Sequence, residues 1–166
     1  MSLIEASWFG QTRLCRLVPV RCLVGTTGFP FNIEEPCMPT KQANSRKLSR
    51  SRSIAFTRQC GRCCYCGCLM WLGDPEVFCQ THQLKRPQAK ALQCTGEHLQ
   101  AKRDGGDERL DNIAAACLIC NRRRHARKRP IDPAEYAELV QRRVAQRRWH
   151  PLWVFERGLL PASSPE

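Results

Sequence analysis

Between Cys94 and His125 the chain reads CTGEHLQAKRDGGDERLDNIAAACLICNRRRH. A Glu-His pair, an Asp-Asn pair, two cysteines three positions apart, and an Asn and a His four positions apart follow one another in this stretch. These residue types hold metal ions and move protons. Carboxylate, amide and imidazole groups ligate divalent cations, and neutral imidazole titrates near physiological pH and can accept a proton from water. Cys117 and Cys120 have the Cys-x-x-Cys spacing that grips half of a tetrahedral zinc ion. A second pair lies upstream in the run CGRCCYCGC from Cys60 to Cys68, where Cys63 and Cys66 have that spacing and Cys60 and Cys63 have it too. Joined to Cys117 and Cys120, either pair completes the four soft ligands of a closed structural site.

Such groups act together only if the backbone brings them together. Glu97, His98 and Leu99 read as a short strand, and Gly105 and Gly106 suit a tight turn because glycine tolerates positive φ. The half-apolar run Asn112-Ile113-Ala114-Ala115-Ala116 then returns as a second strand. The arginine-rich run from Asn121 to Arg129 reads as a helix, which puts Asn121 and His125 on one face.

Glu97-His98, Gly105-Gly106, Asp111-Asn112 and Cys117 to Asn121, with a Cys-x-x-Cys upstream, resemble in order the pattern of the HNH endonuclease family over roughly residues 54–129. The resemblance implies an α+β fold: a small ββα-metal unit stapled by a four-cysteine zinc at Cys63, Cys66, Cys117 and Cys120, with flanking helices. It also implies that Glu97 and His98 face the helix bearing Asn121 and His125. On that reading His98 is the general base, Asn112 orients its ring, and Asn121 serves in catalysis. Glu97, Asn121 and His125 gather one divalent ion, Mg²⁺ or another such as Mn²⁺ or Ni²⁺. Arg122, Arg123, Arg124, Arg127 and Lys128 are the nucleic-acid contacts. Two departures stand out: Glu97 replaces the more frequent Asp, and Arg124 stands where Lys is frequent, keeping charge but changing geometry.

The rest of the chain is compatible with this. Lys and Arg number 27 against 15 Asp and Glu, a formal net charge of +12 that favours a polyanionic partner such as double-stranded DNA. Twelve cysteines suggest a disulfide framework only in a secreted chain, and the N-terminal residues carry Glu5, Arg13, Arg16 and Arg21 where a signal peptide is apolar. No run reaches the roughly 18 apolar residues of a membrane span. The expectation is therefore a cytoplasmic protein with reduced thiols. A redox role for the Cys-x-x-Cys pairs lacks its usual βαβ setting. A non-catalytic zinc-containing nucleic-acid-binding module is the competing class, and it has no need for Glu97, His98, Asn112 and Asn121 together.

The flanks divide the chain into a disordered basic leader at 1–53, a domain at 54–155 and a disordered tail at 156–166. Residues 1–40 are broken by Pro and Gly, Met38 is an alternative start, and Cys15, Cys22 and Cys37 have no Cys-x-x-Cys partner. The run KQANSRKLSRSRSIAFTR is basic and Ser-rich, an arm suited to phosphates, with a short helix beginning at Ile54-Ala55-Phe56. Met70, Trp71 and Leu72 are core candidates, Asp74-Pro75 starts a helix, and Val77, Phe78, His82 and Leu84 have loose helical spacing. Cys79 and His82 lack a second ligand pair. Asp132, Pro133 and Glu135 read as N-cap, N1 and capping box of a helix with an apolar stripe of Tyr136, Leu139, Val140 and Val144. Trp149 to Trp153 is an aromatic segment that packs on the domain.

Overall fold

Two short strands, β1 (Cys94–His98) and β2 (Ile113–Cys117), pair antiparallel with Cys94 opposite Cys117 and His98 opposite Ile113. β2 is small and apolar, with Ile113, Ala115, Ala116 and Cys117 buried, so it can lie between layers. The computed structural model describes residues 41–128 and 131–161 of the chain. The described residues fall in one compact unit, Met38–Glu166.

Before the hairpin come α1 (Lys41–Arg58), α2 (Pro75–His82) and α3 (Arg86–Ala91); after it come α4 (Leu118–His125), α5 (Pro133–Ala145) and α6 (Leu152–Glu156). The mixed helix and two-stranded architecture is the α+β fold expected, with α4 following β2 directly. Cys117 is the N-cap of α4 and its Sγ accepts from Cys120 N at 3.5 Å, so the knuckle itself starts the helix. The helix therefore opens at Leu118, ahead of the Asn121 expected, and ends at His125.

The largest difference from the sequence reading is α1. Residues 41–53, expected within a disordered leader, form most of an 18-residue helix laid across the hairpin. Leu48 and Arg52 lie over Gly96 so closely that a Cβ there would stand 2.9 Å from Leu48 Cδ1. Ser51 and Ala55 are buried, and Ser51 Oγ donates to the Glu108 carbonyl at 2.6 Å. Burial of this narrow strip overrides a composition that favours solvent, since helices in proteins owe most of their stability to tertiary packing. Residues 1–40, with Met38, Cys15, Cys22 and Cys37, lie outside the described residues.

The C-terminal side follows its sequence signals more closely. Asp132 caps α5 by accepting from Ala134 N at 2.7 Å, and Tyr136 and Val140 are fully buried. Tyr136 Oη donates to the Cys120 carbonyl at 2.8 Å, which docks α5 on the knuckle. Trp149 is buried and donates through Nε1 to Cys120 Sγ at 3.2 Å. The expected disordered tail is corrected over residues 156–161: Leu159 is fully buried and its carbonyl accepts from Leu69 N at 2.8 Å. Residues 162–166 lie outside the described residues.

Upstream, α2 has the expected start, with Asp74 accepting from Glu76 N at 2.8 Å, but Val77 is 63% exposed and the helix buries Phe78 and Cys79 instead. Trp71 Nε1 donates to the Ala89 carbonyl at 2.6 Å, which satisfies the indole as it enters the core. The free edge of β2 is not left open. Gln59 exchanges two hydrogen bonds of 2.8 Å with the Ala115 backbone, and Cys64 N donates to the same carbonyl at 2.9 Å. No helix among the described residues is long and apolar enough to cross a membrane.

Candidate active site and metal centre

Cys63, Cys66, Cys117 and Cys120 converge with all four Sγ atoms within 4.8 Å of one another, and all four residues are buried. A tetrahedron of Zn–S bonds near 2.3 Å needs sulfurs about 3.8 Å apart, and Cys66 Sγ lies 3.8 Å from Cys117 Sγ. The donor set therefore fits an ion such as zinc. Backbone and indole donors point at the sulfurs, with Cys117 N 3.3 Å from Cys63 Sγ, the usual support for thiolates. Burial pushes the Cys63 thiol up, but hydrogen bonds from Cys117 and Cys120 bring it below its ordinary value, while Cys66, Cys117 and Cys120 are raised. Three buried thiols that resist ionisation beside a fourth that ionises readily are relieved by a bound cation. The alternative register through Cys60 is not used, since Cys60 is exposed outside the group. Among the described residues no second group of three or more His, Cys, Asp or Glu ligand atoms lies together, so Cys79 and His82 remain apart from any such site.

Strand alternation sorts the other residues. Thr95 and Glu97 face α4, and Gly96 faces α1. Glu97 is fully buried, and its carboxylate is completely engaged. His125 Nε2 lies 3.2 Å from Oε2, while Oε1 accepts from Tyr65 Oη at 3.2 Å and forms an ion pair with Arg124. Burial beside Glu97 pushes the Tyr65 phenol far up, so it stays a donor. A carboxylate removed from water in this way needs such partners.

Arg124 was expected among the phosphate contacts, but its side chain is only 10% exposed and turns inward to Glu97, the His98 carbonyl and the Ile131 carbonyl. Arg123 is likewise committed, donating to the Trp149 carbonyl with its guanidinium 4.6 Å from the Trp149 ring centre. Arg122, Arg123, Arg127 and Lys128 are all exposed, Arg127 with its guanidinium 5.7 Å from the Tyr136 ring centre.

His98 is half-buried, and its Nε2 is buried without a hydrogen-bond partner. Burial lowers its pKa below the ordinary imidazole value, and the nearby Lys102 ammonium adds to this against Glu108 and Glu97. Lys102 and Glu108 form an ion pair across the loop that follows β1.

Asn112 was expected to hold the His98 ring, and its hydrogen bonds go elsewhere. Oδ1 accepts from Gln100 N at 2.7 Å, and Nδ2 donates to the carbonyls of Gln100 and Asp107 at 3.1 and 2.8 Å. A short amide inside a tight loop finds backbone first. It closes the loop rather than touching the imidazole.

Asn121 and His125 do share a face of α4, but Asn121 is not brought to the Glu97 carboxylate. Its Nδ2 donates to Thr95 Oγ1 at 2.9 Å and the Gly96 carbonyl at 3.3 Å, tying α4 to β1 one turn before His125. The sequence reading missed Tyr65, which lies between the knuckle cysteines and 32 residues from Glu97. It also missed the Lys102–Glu108 pair. No local spacing signals either contact.

The two loop glycines have different reasons. Gly105 has φ +86°, whereas a Cβ on Gly106 would stand 1.9 Å from Gln100 O and 2.8 Å from Asn112 Nδ2. Gly106→Ala is expected to cost at least about 2 kcal/mol by forcing the loop off Asn112, and Gly105→Asn, which tolerates left-handed backbone, no more than about 1 kcal/mol. Urea unfolding of the two variants checks this, and equal stabilities contradict it.

Compared with protein families, residues 79–127 match the family model described as HNH endonuclease. The matched span contains β1, the loop, β2 and α4, and excludes α1 and the first cysteine pair. Neither the curated proteins nor the solved structures contain a match to the chain.

Proposed function

We propose that this chain is a metal-dependent endonuclease that hydrolyses phosphodiester bonds in double-stranded DNA. The observation that carries the reading is the meeting of Glu97 from β1 with His125 from α4 at 3.2 Å, beside a His98 whose buried Nε2 has no partner. A carboxylate and an imidazole fit Mg²⁺, Mn²⁺ or Ni²⁺. Glu97 and His125 would hold the ion. When bound, the ion supplies charge neutralisation at the scissile phosphate and the leaving oxygen.

His98 accepts the proton of the attacking water, for which a neutral imidazole is required. Its lowered pKa keeps it neutral into mildly acidic solution. A buried ring nitrogen left without a partner costs stability, and its retention suits a group kept for proton transfer. Asn112 is a positioning residue that holds the Gln100 backbone, two residues after the base. Asn121 tethers α4, Tyr65 orients the carboxylate, and Arg122, Arg127 and Lys128 meet phosphates. Reduced thiols at a zinc site and nine free cysteines among the described residues suit a reducing, cytoplasmic setting.

One observation favours the alternative, a non-catalytic nucleic-acid-binding module: Glu97 is already satisfied by Arg124, Tyr65 and His125. Incubation of the purified protein with supercoiled plasmid separates the two. Nicked or linear product that requires added Mg²⁺, Mn²⁺ or Ni²⁺ and disappears with chelator is the expected result. Plasmid retarded on the gel but uncut with every ion selects the binding module.

A further inference from the structure

We propose that the cleft between residues 99–104 and the C-terminal end of α4 holds the sugar-phosphate backbone of the nucleic-acid strand on one flank of the cut, and that α1 does not. The assignment rests on the endonuclease reading and adds a substrate path to it.

The cleft has a volume of about 630 Å³ and reaches on to the first residues of α5, a size within the roughly 300–1,000 Å³ of pockets that bind ligands. One wall carries Lys102 and Arg103, the other Arg127 and Lys128, against Asp104 and Asp132. His125 lines it too, with a side chain 53% exposed and in contact with Glu97, so a strand in the cleft passes beside the proposed ion site.

Arg124 supplies a second, independent observation. It lines the same cleft, its side chain is nine-tenths buried, and its Nε is buried without a hydrogen-bond partner. A guanidinium N–H in that state is an unused donor beside the cleft, and its positive charge adds to that of the lining. Leu99 and Ile131 add apolar wall of the kind a sugar ring can lie against.

The other basic surface has a different setting. Lys47, Arg50 and Arg58 are exposed on α1, but they line a hollow they share with Asp107, Glu108 and Asp111 and with Arg109, which pairs with Asp107 and Asp111. Carboxylates on the facing loop offset part of their field, and none of Glu97, His98 and His125 lines this hollow.

The test is a matched pair of variants of the full chain, Arg103→Gln/Arg127→Gln/Lys128→Gln in the cleft and Lys47→Gln/Arg50→Gln/Arg58→Gln on α1. Each removes the same charge, so the long-range field changes equally. Binding to a fluorescent duplex oligonucleotide is followed by anisotropy across a salt series in calcium. Each lost phosphate contact lowers the slope of log affinity against log salt by about 0.9, so the cleft triple is expected to lose about 2.7 and the α1 triple close to nothing. Should the cleft triple melt early, the single variants Arg103→Gln and Lys128→Gln, both at exposed residues, are each expected to lose about 0.9. Equal losses in the two triples, a loss confined to α1, or no loss in either overturns the proposal. Wild-type protein that fails to bind the duplex or to nick plasmid defeats the endonuclease reading itself, whereas wild-type cutting with an unchanged cleft slope defeats only this path.

Discussion

His98→Ala is expected to lower plasmid cleavage by about 10²- to 10⁴-fold, the contribution of one general base, while metal content, thermal melting and duplex affinity stay near wild type. The ring makes no hydrogen bond through Nε2 and ligates no cysteine-bound metal, so its loss leaves the fold's supports in place. The wild-type rate should also carry the signature of the lowered pKa. A base that must be neutral is active above its pKa, and burial with the Lys102 ammonium moves that value down. The acid limb of the pH-rate profile therefore lies below the roughly 6.5 of an ordinary imidazole. Lys102→Met, by removing the ammonium, should move the limb back up. A His98→Ala protein that cuts at the wild-type rate sinks the proposed mechanism even with the fold intact.

Cys66→Ser is expected to release the metal held by the cysteine group and abolish the cooperative melt. Structural zinc contributes about 10–16 kcal/mol on binding, as much as the whole stability of an ordinary domain, about 5–15 kcal/mol. The site here ties three parts of the chain together, because Cys63 and Cys66 precede the hairpin, Cys117 ends β2 and Cys120 lies in the first turn of α4. Trp149 and Tyr136 pack on it through Cys120, so α5 and the C-terminal segment should loosen with it. Cys60→Ser provides the control: that residue is exposed and outside the group, and its variant should retain the metal and the melt. Elemental analysis with calorimetry reads both, and wild-type protein that carries no metal after purification contradicts the assignment.

Release of the metal has a further consequence for the carboxylate. Tyr65 lies between Cys63 and Cys66, its ring stacks edge-on against Tyr136 at 4.8 Å, and its hydroxyl donates to Glu97. The knuckle thus presents one of the three groups that hold Glu97, so an ion held by the cysteines would be linked to this carboxylate through a single side chain.

Read alone, the sequence determined the features that depend on local spacing. Two Cys-x-x-Cys units imply one closed metal site because an ion that wants four soft ligands can be satisfied only by both pairs. An Asn and a His four residues apart share a helix face by geometry alone. Asp132 and Pro133 start a helix wherever the rest of the chain lies, because capping involves only the first turn. Tertiary structure decided what a side chain meets at long range. Residues 41–53 are polar enough to remain in solvent, and they are helical because Leu48, Ser51 and Ala55 find the hairpin beneath them. Residues 156–161 are ordered because Leu159 finds the core. Arg124 is read from sequence as a phosphate contact like its neighbours Arg122 and Arg123, and it turned inward because a fully buried Glu97 lay within its reach. Asn112 closes the loop because its amide is taken up by the Gln100 and Asp107 backbone. Helical and strand periods set which residues are neighbours within an element, whereas the partner of a buried charge is chosen by desolvation, which exists only once the elements have packed.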